Sequence, residues 1–250
     1  MTRVTRATLA GGLLLAIMVS GCTSPTSGAP TATPTQREVV YAAIGASETY
    51  GIGATDRYRQ AWPQVFYNDL LRPPDVFYNF GIPGVTTAQA LRDEVPAAIN
   101  VRPTLVTVWL NVNDLLQGVS PPAYGAQLQQ LVHSLRRNGQ TQVLVANTPD
   151  LGQLPAYQAC LPSPPVGGPG CPFPAGLVPS PDRVAAAVNG YNTVIAQVVK
   201  QEAATLVDLH GQDALMAQHP EWLSPDGFHP NELGYAAVAH MFEDAYRRIG

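Results

Sequence analysis

From residue 38 onward, short runs rich in Val, Ile, Leu and aromatic residues alternate with longer stretches whose apolar residues recur every three or four positions. The short runs predict strands at 38–45 (EVVYAAIG), 75–81 (DVFYNFG), 104–112 (TLVTVWLNV), 142–149 (QVLVANTP) and 205–211 (TLVDLHG). The longer periodic stretches predict helices near 60–72, 86–100, 121–138, 182–203 and 232–248. Strands separated by helices imply an α/β fold with a parallel sheet covered on both faces. In such sheets ligands bind outside the carboxyl ends of the strands, so residues that follow strands are the first to examine for chemistry.

The first 37 residues break this pattern. Arg3 and Arg6 precede the apolar run LAGGLLLAIMVSG, which is too short to span a bilayer and stops at Cys22. This is the pattern of an export signal over residues 1–21, and VSGC resembles a bacterial lipobox, which implies cleavage before Cys22 and a lipid on it. The stretch TSPTSGAPTATPTQ has no apolar periodicity and reads as a tether over 22–36, with one folded domain over 37–250. The expected location is the outer face of the cell membrane through the lipid, or the exterior. Of three cysteines, assigning Cys22 to the anchor leaves Cys160 and Cys171. In an oxidising compartment these two can form a disulfide around the loop CLPSPPVGGPGC; two free thiols are the alternative.

At 250 residues with 46% hydrophobic content the chain can bury one sizeable core. Residues 1–21 hold two of the 14 Lys and Arg and none of the 18 Asp and Glu, so their removal takes the net charge from −4 to −6. An acidic chain of this kind is not built for nucleic acid. The five histidines, at 133, 210, 219, 229 and 240, form no metal-binding spacing, and GIGATD at 51–56 follows a serine and lacks the third glycine of a dinucleotide fingerprint. Neither a metal nor a cofactor is expected.

Four stretches carry candidate chemistry. Ser47 in IGASETYGIG ends the first strand, where a hydroxyl can attack a carbonyl and the residue's own N–H can hold an oxyanion; a plain helix cap is the alternative. Gly81 and Gly84 in NFGIPGVTT suit a backbone N–H turned toward a ligand, or a simple turn. Asn113 in VWLNVNDL can aim its amide at developing negative charge, or form an Asn/Asp turn with Asn111 and Asp114. In SPDGFHP, two prolines and a glycine fence Asp226 and His229, so the carboxylate can fold against the imidazole and fix its tautomer; the alternative is a capped turn with an ordinary histidine. Thr49 stands where a G-x-S-x-G elbow needs glycine, which disfavours an ordinary α/β-hydrolase.

In this order the four blocks resemble the SGNH hydrolase superfamily, the GDSL esterases and lipases. The match runs from Ser47 in GAS through Gly84 in NFGIPGVT and Asn113 in NVND to Asp226 and His229 in DGFH. The resemblance implies a flavodoxin-like three-layer α/β/α sandwich with a five-stranded parallel sheet. It also implies a serine esterase acting on a lipid, lysophospholipid or acetylated-sugar ester; a monomer is expected. Ser47, His229 and Asp226 would be catalytic, and the oxyanion hole would be the N–H groups of Ser47 and Gly84 with the Asn113 amide. Ala46 and Asn111 depart from the family, which has Asp and Gly there. A non-catalytic surface binding lipoprotein on the same fold is the alternative. The insert between Asp150 and Asp182 is expected to shape the substrate entrance.

Overall fold

The computed structural model describes residues 38–173, 178–212 and 218–249. The expectations for residues 1–37, namely the signal, the lipid on Cys22 and the tether, lie outside the described residues. Five strands form one sheet: β1 (Val40–Gly45), β2 (Val76–Asn79), β3 (Leu105–Trp109), β4 (Gln142–Ala146) and β5 (Thr205–Val207), in the order β2-β1-β3-β4-β5. Every neighbouring pair is parallel, with Tyr41 opposite both Phe77 and Leu105. The helices are α1 (Ser47–Tyr50), α2 (Arg57–Gln60), α3 (Trp62–Leu70), α4 (Thr87–Asp93), α5 (Val95–Asn100), α6 (Val112–Leu116), α7 (Pro121–Arg136), α8 (Pro155–Gln158), α9 (Pro181–Gln201) and α10 (Glu232–Arg247).

The period of two along β1 sorts its residues between two cores. Ala42 and Ile44 pack with Leu128, Leu131, Tyr191 and Ile195 from α7 and α9 on one face. Tyr41 and Ala43 pack with Trp62, Phe66, Tyr235 and Phe242 from α3 and α10 on the other. Trp62 and Phe242 stack with centroids 4.0 Å apart, tying those two helices together. The result is the three-layer sandwich that the alternating pattern implies.

The apolar runs overshoot the strands. The 104–112 run ends as strand at Trp109, yet Leu110 and Val112 stay buried because the chain turns at Asn111 into α6 beneath the insert. Apolarity there reports burial, not extended backbone. The helix predicted over 86–100 divides into α4 and α5, because Pro96 lacks the N–H and its ring collides with the carbonyl four residues back. Four short helices, α1, α2, α6 and α8, are too brief to show a period.

Strand order reverses direction between β1 and β3, so a crevice opens outside their carboxyl ends. Ser47 follows β1 and Asn113 follows β3 by a few residues, which places both at that crevice. Among the described residues no helix is long and apolar enough to cross a membrane.

Candidate active site

The turn carrying Asp226 and His229 is held mostly by its own atoms, with one outside bond from the Ala156 N–H to the Gly227 carbonyl at 3.0 Å. Asp226 Oδ1 accepts hydrogen bonds from the Ser224 hydroxyl (2.8 Å), the Phe228 N–H (2.8 Å) and the His229 N–H (2.9 Å). Its Oδ2 lies 2.7 Å from His229 Nδ1. The Ser224 N–H donates to the His229 carbonyl at 2.8 Å, and Leu223 bridges Pro230 antiparallel, so the turn closes as a small hairpin. Gly227 supplies the left-handed φ of +67° that the reversal requires. Asn231 then caps α10 by accepting from the Leu233 and Gly234 N–H groups, while its amide donates to the Glu221 and Leu223 carbonyls. Partial burial pushes the Asp226 carboxyl up, but the His229 ring, the two N–H donors and the Ser224 hydroxyl outweigh it and hold the pKa at about 2. An ionised Asp226 keeps the Nδ1 proton on its side of the ring, leaving Nε2 as the basic nitrogen. His229 Nε2 is buried and has no protein partner.

Ser47 opens α1 directly after β1 and is half-buried. Its hydroxyl donates to Glu48 Oε2 at 3.3 Å and is not hydrogen-bonded to His229. The two blocks are nevertheless in contact. A Cβ built on Gly53, where φ is +96°, would lie 3.1 Å from the His229 Cβ and 2.4 Å from the Pro230 carbonyl oxygen, so only glycine lets this loop seat against the turn. The Tyr235 hydroxyl from α10 also donates to the Ile52 carbonyl.

The other bank is made from separate segments. Asn113, in the first turn of α6, donates its amide to the Val85 carbonyl at 3.0 Å, next to Gly84. Asp114 is fully buried and accepts from the Thr87 N–H (2.9 Å) and hydroxyl (3.0 Å) at the start of α4. Burial raises the Asp114 pKa against those donors. Gly84 is exposed with φ of +82°, and a Cβ there would meet nothing within 4 Å. Beneath both banks Glu94 accepts from the Gly45 N–H at 2.9 Å, and burial pushes its pKa up to about 8 despite donors on Gly45 and Ile82.

Neither departure from the family pattern falls at left-handed backbone. Asn111 has φ of −170° and Ala46 has φ of −99°. The Asn111 amide is buried without a hydrogen-bond partner, and nothing in the structure explains it.

A cavity of about 80 Å³, reached from Ser47 through its neighbour Glu48, is lined by Glu48, Trp109, Val112, Asp150, Leu154 and Phe228, among others. It shares Leu151, Leu154 and Phe228 with a larger apolar groove of about 240 Å³, walled also by Leu115, Tyr157 and Phe173. The insert thus borders the site, stapled by a Cys160–Cys171 disulfide with Cα atoms 4.8 Å apart. Residues 174–177 within it lie outside the described residues. Away from the rim, Asp69, His240 and Glu243 bring ligand-type atoms within 4.8 Å of one another, but the Arg247 guanidinium already takes Glu243 at 2.9 Å.

Reading the sequence alone leaves Glu48, Gly53, Glu94 and Asn231 without a role.

The profile of the GDSL-like Lipase/Acylhydrolase family matches residues 43–237. No curated protein sequence matches the chain. Among solved structures, the psychrotrophic esterase EstA from Pseudoalteromonas sp., in a form inhibited by monoethylphosphonate, is 16% identical with a TM-score of 0.60, covering 84% of this chain and 98% of that one. TesA is 18% identical with a TM-score of 0.62 over 84% and 99%. A Clostridium thermocellum family 3 carbohydrate esterase is 20% identical with a TM-score of 0.58 over 85% and 97%. These likenesses establish the shared fold, and the profile covers most of the chain. The chain belongs to the GDSL-like lipase/acylhydrolase family, within the SGNH superfamily, and is a serine hydrolase acting on ester bonds.

Proposed function

We propose that the protein hydrolyses carboxylic esters through an acyl-enzyme on Ser47. The observation that carries this reading is the 2.7 Å contact between Asp226 Oδ2 and His229 Nδ1 with Nε2 left unpartnered on the rim that holds Ser47. The Ser47 hydroxyl swings from Glu48 to His229 Nε2 when substrate binds, a tightening common between free and substrate-bound enzymes. Ser47 Oγ then attacks the acyl carbon and its proton passes to Nε2. The carbon–oxygen bond to the alcohol breaks as His229 returns that proton to the leaving oxygen. Water repeats the sequence on the acyl-enzyme, releasing the acid and restoring Ser47. The oxyanion is held by the N–H groups of Ser47 and Gly84 and by the Asn113 amide, whose second N–H is oriented by the bond the first makes to Val85.

The apolar groove favours an ester with an apolar portion, of lipid or lysophospholipid type, over an acetylated sugar. The export signal, the lipobox-like VSGC and the tether support attachment outside the cell through a lipid on Cys22. A fluorophosphonate probe should label Ser47, and p-nitrophenyl esters of rising chain length should be cleaved better than acetylated xylan. A folded protein that takes no label at Ser47 would instead be a binding lipoprotein on the same fold.

A further inference from the structure

Glu48 is the least expected side chain at the site. It directly follows the nucleophile and is only 6% exposed. Among the described residues its one side-chain hydrogen-bond partner is the Ser47 hydroxyl at 3.3 Å. Burial holds its carboxyl above the usual carboxylate range, while its own backbone N–H and the facing His229 pull the other way. A carboxylate kept out of water with so few donors is costly unless something bound there supplies positive charge.

The cavity it lines repeats the same character. A second carboxylate, Asp150, shares the wall, bonded also to the Gly152 N–H and the Gln153 amide at 2.9 Å each. Trp109 and Phe228 present aromatic surface, and the rest is aliphatic or proline apart from Gln153. No Lys or Arg is among the lining residues. Acids, ring faces and an absent cation repel carboxylate and phosphate groups and attract ammonium.

We propose that this cavity is a subsite for a compact cationic group on the ester, an ammonium a few atoms from an oxygen acceptor as in an amino-alcohol ester, with Glu48 as its specificity-determining residue. This rests on the esterase reading above. The ammonium sits against Glu48 and the ring faces of Trp109 and Phe228, which keeps Glu48 ionised when substrate is bound and frees the Ser47 hydroxyl to turn to His229. The adjoining apolar groove takes the hydrocarbon part.

The decisive comparison is acetylcholine against neohexyl acetate, which has carbon in place of the ammonium nitrogen. At pH 8 the wild-type chain should favour the choline ester in kcat/KM by about tenfold or more, expressed mainly in KM. Glu48→Gln, similar in shape but uncharged, should bring that ratio close to one by losing the choline ester. Equal kcat/KM values in the wild type, or a preference that survives in Glu48→Gln, would overturn the proposal. Calorimetric titration of choline into the wild-type chain needs neither turnover nor a variant. Saturable binding that neohexyl alcohol lacks supports the subsite, and no binding overturns it. Failure of the esterase reading is seen separately, as absence of fluorophosphonate label on Ser47.

Discussion

The two banks of the crevice hold their functional side chains by opposite means. The Asp226/His229 turn is mainly local: the bonds that orient its carboxylate and imidazole join residues two to five apart, and one longer bond, from the Ala156 N–H to the Gly227 carbonyl at 3.0 Å, ties it to α8. The Gly84/Asn113 bank is assembled at long range, through Asn113 to Val85 across 28 positions and Asp114 to Thr87 across 27. A local device survives small shifts of the sheet. An assembled one depends on α4 and α6 staying in register, so damage there should spread to both stability and chemistry.

The largest expected effect tests whether turn and base can be separated. Asn at 226 keeps an Oδ1 that can accept from Ser224, Phe228 and His229, but places an amide donor against Nδ1 where the carboxylate accepted. Asp226→Asn should therefore fold and melt nearly as wild type, while kcat falls about 10³- to 10⁴-fold through the wrong tautomer. Asp226→Ala should lose both the turn and the activity. If Asp226→Asn melts as early as Asp226→Ala, the carboxylate charge itself holds the turn, and the separation fails.

Asn113→Ala comes next. In the proposed mechanism its amide acts on charge that develops only in the transition state, so kcat should drop about 10²- to 10³-fold with KM changed little. Steady-state kinetics on a short p-nitrophenyl ester decides this. A raised KM with normal kcat would assign Asn113 to ground-state binding instead.

The same local and long-range division explains what could be read from the sequence. SPDGFHP carries its geometry in its own prolines and glycine, and the structure forms the Asp226–His229 pair that those residues suggest. The succession of strands and helices and the faces they bury follow from periodicity, which β1 shows in its alternating cores, whereas the strand order comes from the structure alone. Asp114 was legible only as a turn former, because its partner Thr87 is 27 residues away and no local pattern links them. Glu48 and Glu94 were illegible for a related reason. Each is an acid whose burial is imposed by tertiary packing around the end of β1, and a single sequence does not mark it.

Asp114→Ala would strike the assembled bank at its clamp. It leaves the Thr87 N–H and hydroxyl without their acceptor in a fully buried place, costing about 1–3 kcal/mol. For a domain of this size that lowers Tm by several degrees, at about 2–4 °C per kcal/mol. Because α6 also carries Asn113, kcat should fall alongside Tm. Calorimetry with kinetics on the folded fraction would show it. A loss of Tm with unaltered kcat would mean that Val85 alone positions the amide.

The last test lies in how stability varies with pH, where Asp226 in the turn and Glu94 beneath both banks differ in sign. Asp226 is held at about 2, below its ordinary 3.8, so its contribution is present above pH 3.8 and is lost as pH falls through 2. Its carboxylate is almost half exposed, which screens the effect. Glu94 is pushed from 4.5 up to about 8 by burial, so its contribution is whole below pH 4.5 and is lost as pH rises through 8. Between those limits the folded chain binds the extra proton, and stability declines with a slope of at most about 1.4 kcal/mol per pH unit. Glu94→Gln keeps an oxygen for the Gly45 N–H and removes the titration. Denaturant midpoints measured from pH 5 to 8 should fall for the wild type and stay flatter for Glu94→Gln. Parallel curves would show that Glu94 is ionised throughout, with the Gly45 and Ile82 N–H donors outweighing its burial.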